Sequence, residues 1–164
     1  SHMCRDPLLM YGAKALEDHK KGLCTYEVEQ VVLAIVVTTG IASIFLTKDF
    51  TPDYNSGLAH AVFYALTSYP VIEEKHLHGE VVGFGVLLLL LVDGQMDEFE
   101  KIYQLNKDLK LPVSLEDIEI TEEQWAESIN RIPEMSDIRH YPYKVTPEML
   151  TRAMQQLKER EAKG

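Results

Sequence analysis

Apolar residues recur at helical spacing along most of this chain, and helix-capping residues punctuate them. Asp6 precedes Pro7, which places a capping carboxylate ahead of a proline suited to the first helical position. The run that follows ends at Gly22, and Lys21 occupies its last turn, where the helix dipole favours cations. The pattern therefore predicts a first helix over about residues 8–21.

Two long apolar runs lie in the middle of the sequence. One covers residues 31–37 and continues through threonines and a glycine to Leu46, and the other covers residues 81–92. Neither reaches the roughly 18 to 20 uninterrupted apolar residues of a membrane span, so we expect no membrane association. Because both runs are apolar on all sides, we predict helices over about residues 26–46 and 78–93, buried inside a bundle. The β-branched residues of the first run suit a strand equally well.

Weaker periodic segments predict the remaining helices. Two of them cover about residues 56–68, followed by a stop at Pro70, and about residues 97–109. The others are a helix around Trp125 and a last helix after Thr146. Residues 47–54 are predicted to form a connector. Thr121 and Gln124 form a capping box ahead of Trp125, and Thr146 precedes Pro147 at the start of the last helix. We therefore predict an all-α bundle of about six to eight helices.

Length and composition are those of one globular domain. The 164 residues suit a single core, so we expect one helical domain. Residues 1–3 match the remnant of a cleaved expression tag, and the domain is therefore assigned to residues 4–164. The formal charge of −10 would repel nucleic acids and anionic membranes, so neither is an expected partner. Cys4 and Cys24 cannot form a disulfide framework, and no targeting motif is present, which favours the cytoplasm.

Two histidines are the candidates for chemistry. His60 lies in Leu-Ala-His-Ala at the start of one predicted helix, and His78 precedes Gly79 and Glu80 at the start of another. Each alone is more often a hydrogen-bonded core residue than a ligand, but two imidazoles brought together would suit one divalent metal ion. His76 forms a His-X-His pair with His78, yet such residues point apart in a helix or turn, so we interpret His76 as an exposed loop residue.

Other short motifs have simpler explanations. The Gly-Phe-Gly at residues 83–85 lacks the preceding strand of a phosphate-binding loop, and we interpret it as permitting close helix packing. The acidic pair Glu73-Glu74 is interpreted as part of a solvated face. No nucleophile elbow or cysteine–histidine pair indicates covalent catalysis.

The histidines lie in segments that resemble the metal-binding region of the glycerol dehydrogenases, which belong to the iron-containing (group III) alcohol dehydrogenase superfamily. The matching segments are residues 54–61, with Ala-His-Ala, and residues 73–85, with His-Gly-Glu. Residues 103–117, 138–142 and 145–148 resemble later segments of the same family. The resemblance spans nearly the whole chain, and its combined motifs are much more specific than either histidine alone.

This resemblance implies a fold and a ligand set. The family joins an N-terminal nucleotide-binding domain to a C-terminal helical domain with the dehydroquinate synthase-like fold, and the chain resembles the helical domain alone. His60 and His78 would bind zinc or iron(II), with an aspartate of the absent N-terminal domain as the third ligand. NAD(P) would serve the complete enzyme, and the cofactor-binding residues of this chain are unknown. We therefore expect this chain to be inactive by itself.

The implied reaction is the reversible oxidation of a small alcohol or polyol. The metal would lower the pKa of the substrate hydroxyl as a Lewis acid, and hydride would pass to the nicotinamide. A dehydroquinate-synthase-like lyase domain is an alternative, although its first histidine segment has Gly-His-Thr-X-Gly-His where this chain has Ser-Gly-Leu-Ala-His-Ala. A helical interaction module without catalysis is the other alternative.

Two structural expectations follow from this interpretation. The imidazoles of His60 and His78 should face one cavity. The chain should also expose an apolar surface where the nucleotide-binding domain docks, and such a surface would favour a homo-oligomer of the isolated domain.

Overall fold

The computed structural model describes residues 2–46 and 56–163, and within these ranges the regular structure is helical, without strands. The helices are α1 (His2–Lys20), α2 (Tyr26–Leu33), α3 (Thr39–Leu46), α4 (Leu58–Leu66), α5 (Pro70–Lys75), α6 (His78–Val92), α7 (Met96–Leu109), α8 (Glu122–Arg131) and α9 (Pro147–Glu161). A π-helical turn, Ala34–Thr38, joins α2 to α3, and with these two counted as one interrupted helix the described part contains eight. The predicted all-α fold is confirmed, while the connector at 47–54 lies outside the described residues.

Helix α1 begins earlier than its capping pattern predicts. It starts at His2 and carries Pro7 inside, so the prediction that Asp6 caps a helix starting beside Pro7 is wrong. The end of the helix is confirmed, because Gly22 adopts a φ of 72°, a left-handed conformation that glycine takes readily. The carboxylate of Asp18 then accepts a hydrogen bond of 2.9 Å from the hydroxyl of Thr25, which ties α1 to the start of α2.

The first apolar run is helical, but it is not buried. Only 6% of its 18-residue apolar window is buried, so the expectation of a helix inside the bundle is wrong for this run. By length and composition, Tyr26–Phe45 would suffice to cross a membrane, with a mean hydropathy of 2.0. The helix is longer than the uninterrupted apolar run in the sequence, because it includes threonines and a glycine. A single helix of this kind is weak ground for a membrane assignment, because core helices and signal sequences share the property.

The second apolar run forms the buried centre of the fold, as predicted. Helix α6 packs against α4, α7 and α9, and its side chains at Val81, Phe84, Leu87 and Leu88 are fully buried. Burial on all sides explains why this helix is apolar around its circumference. Asp93 follows α6, and Gly94, with a φ of 69°, turns the chain away toward α7.

The segment between α4 and α6 contains a helix that the sequence pattern did not predict. Pro70 follows α4 and also occupies the first turn of α5. The backbone N–H that proline lacks is not needed there, because the first N–H groups of a helix have no partner within it. Helix α5 is short and buries Ile72 against the core, while Glu73 and Glu74 are exposed, as expected for a solvated face. This helix sets the chain direction into α6.

The capping patterns predicted for the two C-terminal helices, α8 and α9, are confirmed. Gln124 N donates to Thr121 Oγ1 at 3.2 Å and Thr121 N donates to Gln124 Oε1 at 2.9 Å, which completes the predicted capping box. Thr146 caps α9 through its hydroxyl, which accepts from the amide of Met149. Between these helices, a 3-10 turn at Ser136–Ile138 packs against α4 and brings Asp137 to the same side of the fold as His60.

Candidate metal centre

Helices α4 and α6 place the two histidines at their first turns. His60 is the third residue of α4, and His78 is the first residue of α6. The helices approach closely because Gly85 of α6 faces the backbone of Ala59, the residue before His60. The close contact between α4 and α6 therefore brings the side chains of His60 and His78 together, although they are separated in sequence.

The structure brings the imidazoles of His60 and His78 side by side. Their ring centroids are 5.6 Å apart and the ring planes are tilted by 44°. Two imidazoles on one tetrahedral zinc ion would have centroids roughly 5 Å apart, because each zinc–nitrogen bond is about 2.0–2.1 Å long. The separation of the rings thus fits two ligands of one ion.

Aromatic packing holds one of these rings, and the rim of the site is open. The ring of Phe63 meets the ring of His78 edge to face, with centroids 4.3 Å apart. His60 is half-buried, whereas His78 is exposed, as are the apolar side chains of Leu77 and Tyr64 beside them. The site is therefore built on the protein core and open toward solvent.

Burial and charge favour the neutral form of His60. Burial lowers the pKa of His60, the neighbouring His78 lowers it further, and the carboxylate of Asp137 acts in the opposite direction. Neutral imidazole is the form that binds a metal ion. The site thus keeps His60 ready as a ligand near neutral pH.

Comparisons with known proteins identify relatives that match most of this chain. No model of a known protein family matches the sequence. The glycerol dehydrogenase of Citrobacter freundii is 30% identical over 163 residues, which cover 94% of this chain and 41% of the relative. Hydroxycarboxylate dehydrogenase A of Escherichia coli is 29% identical over 157 residues, which cover 93% of this chain and 42% of the relative.

A solved structure gives the same result for the fold. The crystal structure of a probable glycerol dehydrogenase from Sinorhizobium meliloti 1021 superposes with a TM-score of 0.77 at 24% identity, over 98% of this chain and 44% of that chain. The chain is homologous over most of its length to glycerol dehydrogenases of the iron-containing alcohol dehydrogenase superfamily. It corresponds to the C-terminal domain of these glycerol dehydrogenases and spans less than half the length of the relatives named here.

Similarity to the glycerol dehydrogenases does not by itself establish a metal centre in this chain. Among residues 2–46 and 56–163, no three His, Cys, Asp or Glu side chains lie close enough together to hold a metal ion. His60 and His78 as ligands of one ion therefore stay a prediction. Asp137 influences the charge of His60, and the sequence pattern did not indicate it, because no motif links this turn to α4.

His76 differs in exposure from its predicted state. It lies in the loop after α5, as interpreted, but its side chain is only 11% exposed, so the expectation that it is exposed is wrong. Its Nε2 atom is buried without a hydrogen-bond partner and lies 3.8 Å from an oxygen of Glu119. Packing of α5 against the core turns this imidazole inward, which its polar sequence neighbours do not reveal.

Proposed function

We propose that this chain is the metal-binding part of an NAD(P)-dependent dehydrogenase that acts on a small alcohol or polyol. His60 and His78 hold zinc or iron(II) in this proposal. The observation that carries it is the 5.6 Å separation of the two imidazole rings in a chain related to glycerol dehydrogenases. When bound, the metal ion supplies Lewis-acid polarisation of a substrate hydroxyl.

The residues of this chain prepare the site for that chemistry. The partial burial of His60 disfavours its protonated form, so a metal ion meets less competition from protons. Phe63 restricts the ring of His78, which reduces the side-chain entropy lost when both rings bind one ion. Because His78 stays exposed, a substrate and a further ligand can approach from the solvent side.

The remaining functions belong to a second domain in this proposal. An N-terminal nucleotide-binding domain supplies the NAD(P) site and a carboxylate as the third metal ligand, and its natural contact is the rim of exposed apolar residues beside His78, namely Leu77 and Tyr64. Catalysis requires both parts, since hydride transfer needs the nicotinamide held against the carbinol carbon. The isolated chain is accordingly inactive.

Zinc titration of the isolated chain tests the ligand assignment. We expect zinc to raise the thermal unfolding temperature of the wild type, because a ligand bound by the folded state stabilises it. His60→Ala and His78→Ala should each weaken zinc binding at least about tenfold, since even changes to the partners of metal ligands cause such losses. His19→Ala is the matched control, because it removes an exposed imidazole from another helix. Equal zinc binding by all four proteins would reject the site.

A chimaera tests the catalytic proposal separately. The chain replaces the matching part of the Citrobacter freundii glycerol dehydrogenase, and NAD(P) reduction is measured with glycerol and with a hydroxycarboxylate. We expect turnover that requires both His60 and His78 and that the isolated chain lacks. A folded, zinc-binding chimaera without turnover on any small alcohol would contradict the enzyme proposal while leaving the metal site intact.

A further inference from the structure

An apolar helical segment projects from the body of this chain. α1 packs along α2 and the π-helical turn, whereas α3 continues beyond that contact and packs chiefly against the turn itself. We define the arm as Val36, Val37, Ile41, Ile44 and Phe45. Ile41, Ile44 and Phe45 follow helical i, i+3, i+4 spacing, so they share one face, and they are 48%, 71% and 72% exposed. These are large apolar side chains left in water.

An apolar groove lies on the same chain. It encloses about 700 Å³ between α1, α2, α6 and α7. Its walls include Leu8 and Leu16 of α1, Val28 of α2, Val86 of α6 and Leu105 and Leu109 of α7. The groove extends along α1 from Leu8 to His19, which is roughly 16 Å of helix, whereas α3 is roughly 12 Å long. It is long enough to receive the side chains along one face of α3.

We propose that the groove binds the arm of a second copy of this chain, and that the two copies exchange arms reciprocally. Arm and groove belong to one chain, so one two-fold axis satisfies both contacts and closes the assembly as a dimer. The charge of −10 on each copy does not oppose the contact locally, because residues 30–46 contain no charged side chain. Exchange removes both exposed apolar surfaces from water at once.

The area of the contact is sufficient for a modest dimer. Fully burying one such side chain removes on the order of 100 Å² of apolar surface from water. The side chains of the two arms are about half exposed or more. Together with the groove surfaces that they cover, they would bury roughly 1,200 Å² in all, which is the lower end of the range for specific interfaces. We therefore expect a dimer that forms in a concentration-dependent manner.

Two other occupants fit the arm less well. A nucleotide-binding domain that completes the His60–His78 site would contact α4 and α6, whereas the arm belongs to the π-helical turn and α3. A bilayer would require α2 to leave α1, which carries the exposed charges of Lys14 and Glu17. Inserting α2 with α1 attached would bury these charges in hydrocarbon, at a high cost in free energy.

Sedimentation velocity over a concentration series tests the dimer. We expect a monomer–dimer equilibrium in the wild type, and Ile44→Glu should weaken dimerisation at least about tenfold because it places a charge in an apolar contact. Met96→Glu is the matched control, since Met96 is an exposed apolar residue outside both arm and groove. A monomer at all concentrations, a polydisperse aggregate, or a monomer that co-sediments with lipid vesicles would each overturn the proposal.

Disulfide formation tests whether the arm occupies the groove. The variant Ile44→Cys/Val28→Cys is prepared with Cys4 and Cys24 replaced by serine. These two positions are roughly 24 Å apart along one helical segment, so a disulfide between them can form only between copies. We expect a covalent dimer from this double variant and none from Ile44→Cys alone. A disulfide from Ile44→Cys alone would show arm-to-arm contact, and no disulfide in the double variant would likewise reject arm exchange.

Discussion

A methyl group on Gly85 would lie 2.6 Å from the carbonyl oxygen of Ala59 and 2.9 Å from its Cα atom. Real side chains do not approach a backbone so closely, so the contact between α6 and α4 requires glycine at this position. Ala59 is the residue before His60, and the same contact therefore determines how far His60 lies from His78. The predicted role of the Gly-Phe-Gly segment in close packing is confirmed at Gly85.

Gly85→Ala should destabilise the protein and separate the two histidines. The new methyl group has to push α4 away from α6, and overpacking of this kind costs about 1–3 kcal/mol of the free energy of unfolding. Zinc affinity should fall together with stability, because the ring separation of 5.6 Å depends on the same helix contact. Chemical denaturation and zinc titration measure the two effects.

Gly83→Ala is the matched control for this substitution. Its methyl group would meet only Asn106 Nδ2, at 4.0 Å, so it fits without displacing backbone. Alanine should then stabilise α6 by about 0.5–1 kcal/mol through lower chain entropy in the unfolded state. If Gly83→Ala is as damaging as Gly85→Ala, the contact with Ala59 is not the cause.

The stability of the metal-free chain should decrease as the pH falls below 6.5. Burial lowers the pKa of His60 in the folded state below the ordinary value of 6.5, so the unfolded chain takes up a proton first. This loss should continue until the pH passes below the folded-state pKa and then cease. Thermal unfolding between pH 7.5 and 5 measures it, and His60→Gln should reduce the slope in this window. An equal slope in both proteins would contradict the lowered pKa.

Asp137→Asn should lower the pKa of His60 further. The carboxylate of Asp137 opposes the effects of burial and of His78, so its neutralisation removes the group that stabilises the protonated ring. NMR titration of the His60 ring measures the change. Asp97→Asn, at the first turn of α7, is the control and should leave the pKa of His60 where it is in the wild type.

Asp93→Asn should lower the pKa of Tyr143 and weaken the attachment of the C-terminal segment. Burial raises the pKa of Tyr143 to about 12, and its hydroxyl and that of Tyr141 both donate to Asp93 Oδ1. The stabilisation from the protonated hydroxyls is present below the ordinary tyrosine pKa of 10.0 and is lost as the pH rises toward the folded-state values. Ultraviolet titration of tyrosinate measures the shift, with the exposed Tyr64 replaced by phenylalanine as control.

Helix positions were largely predictable from the sequence because their signals are local. The capping box of Thr121 and Gln124 and the left-handed Gly22 depend on residues within one turn of the helix end. The residues alone raised the pairing of His60 with His78 as one possibility, and the family resemblance made it the expectation. Spacing alone did not require it, since each histidine has equally good structural roles.

The amino-acid sequence by itself determined that this chain is helical, where most of its helices lie and which two histidines are candidates for metal binding. Only the tertiary structure decided which apolar helix is buried, because α6 and the α2–α3 segment are alike in composition and differ in what packs around them. It also decided that His76 is turned inward and that Asp137 lies near His60. Burial and electrostatic proximity arise from contacts between segments far apart in the chain, and no local pattern contains them.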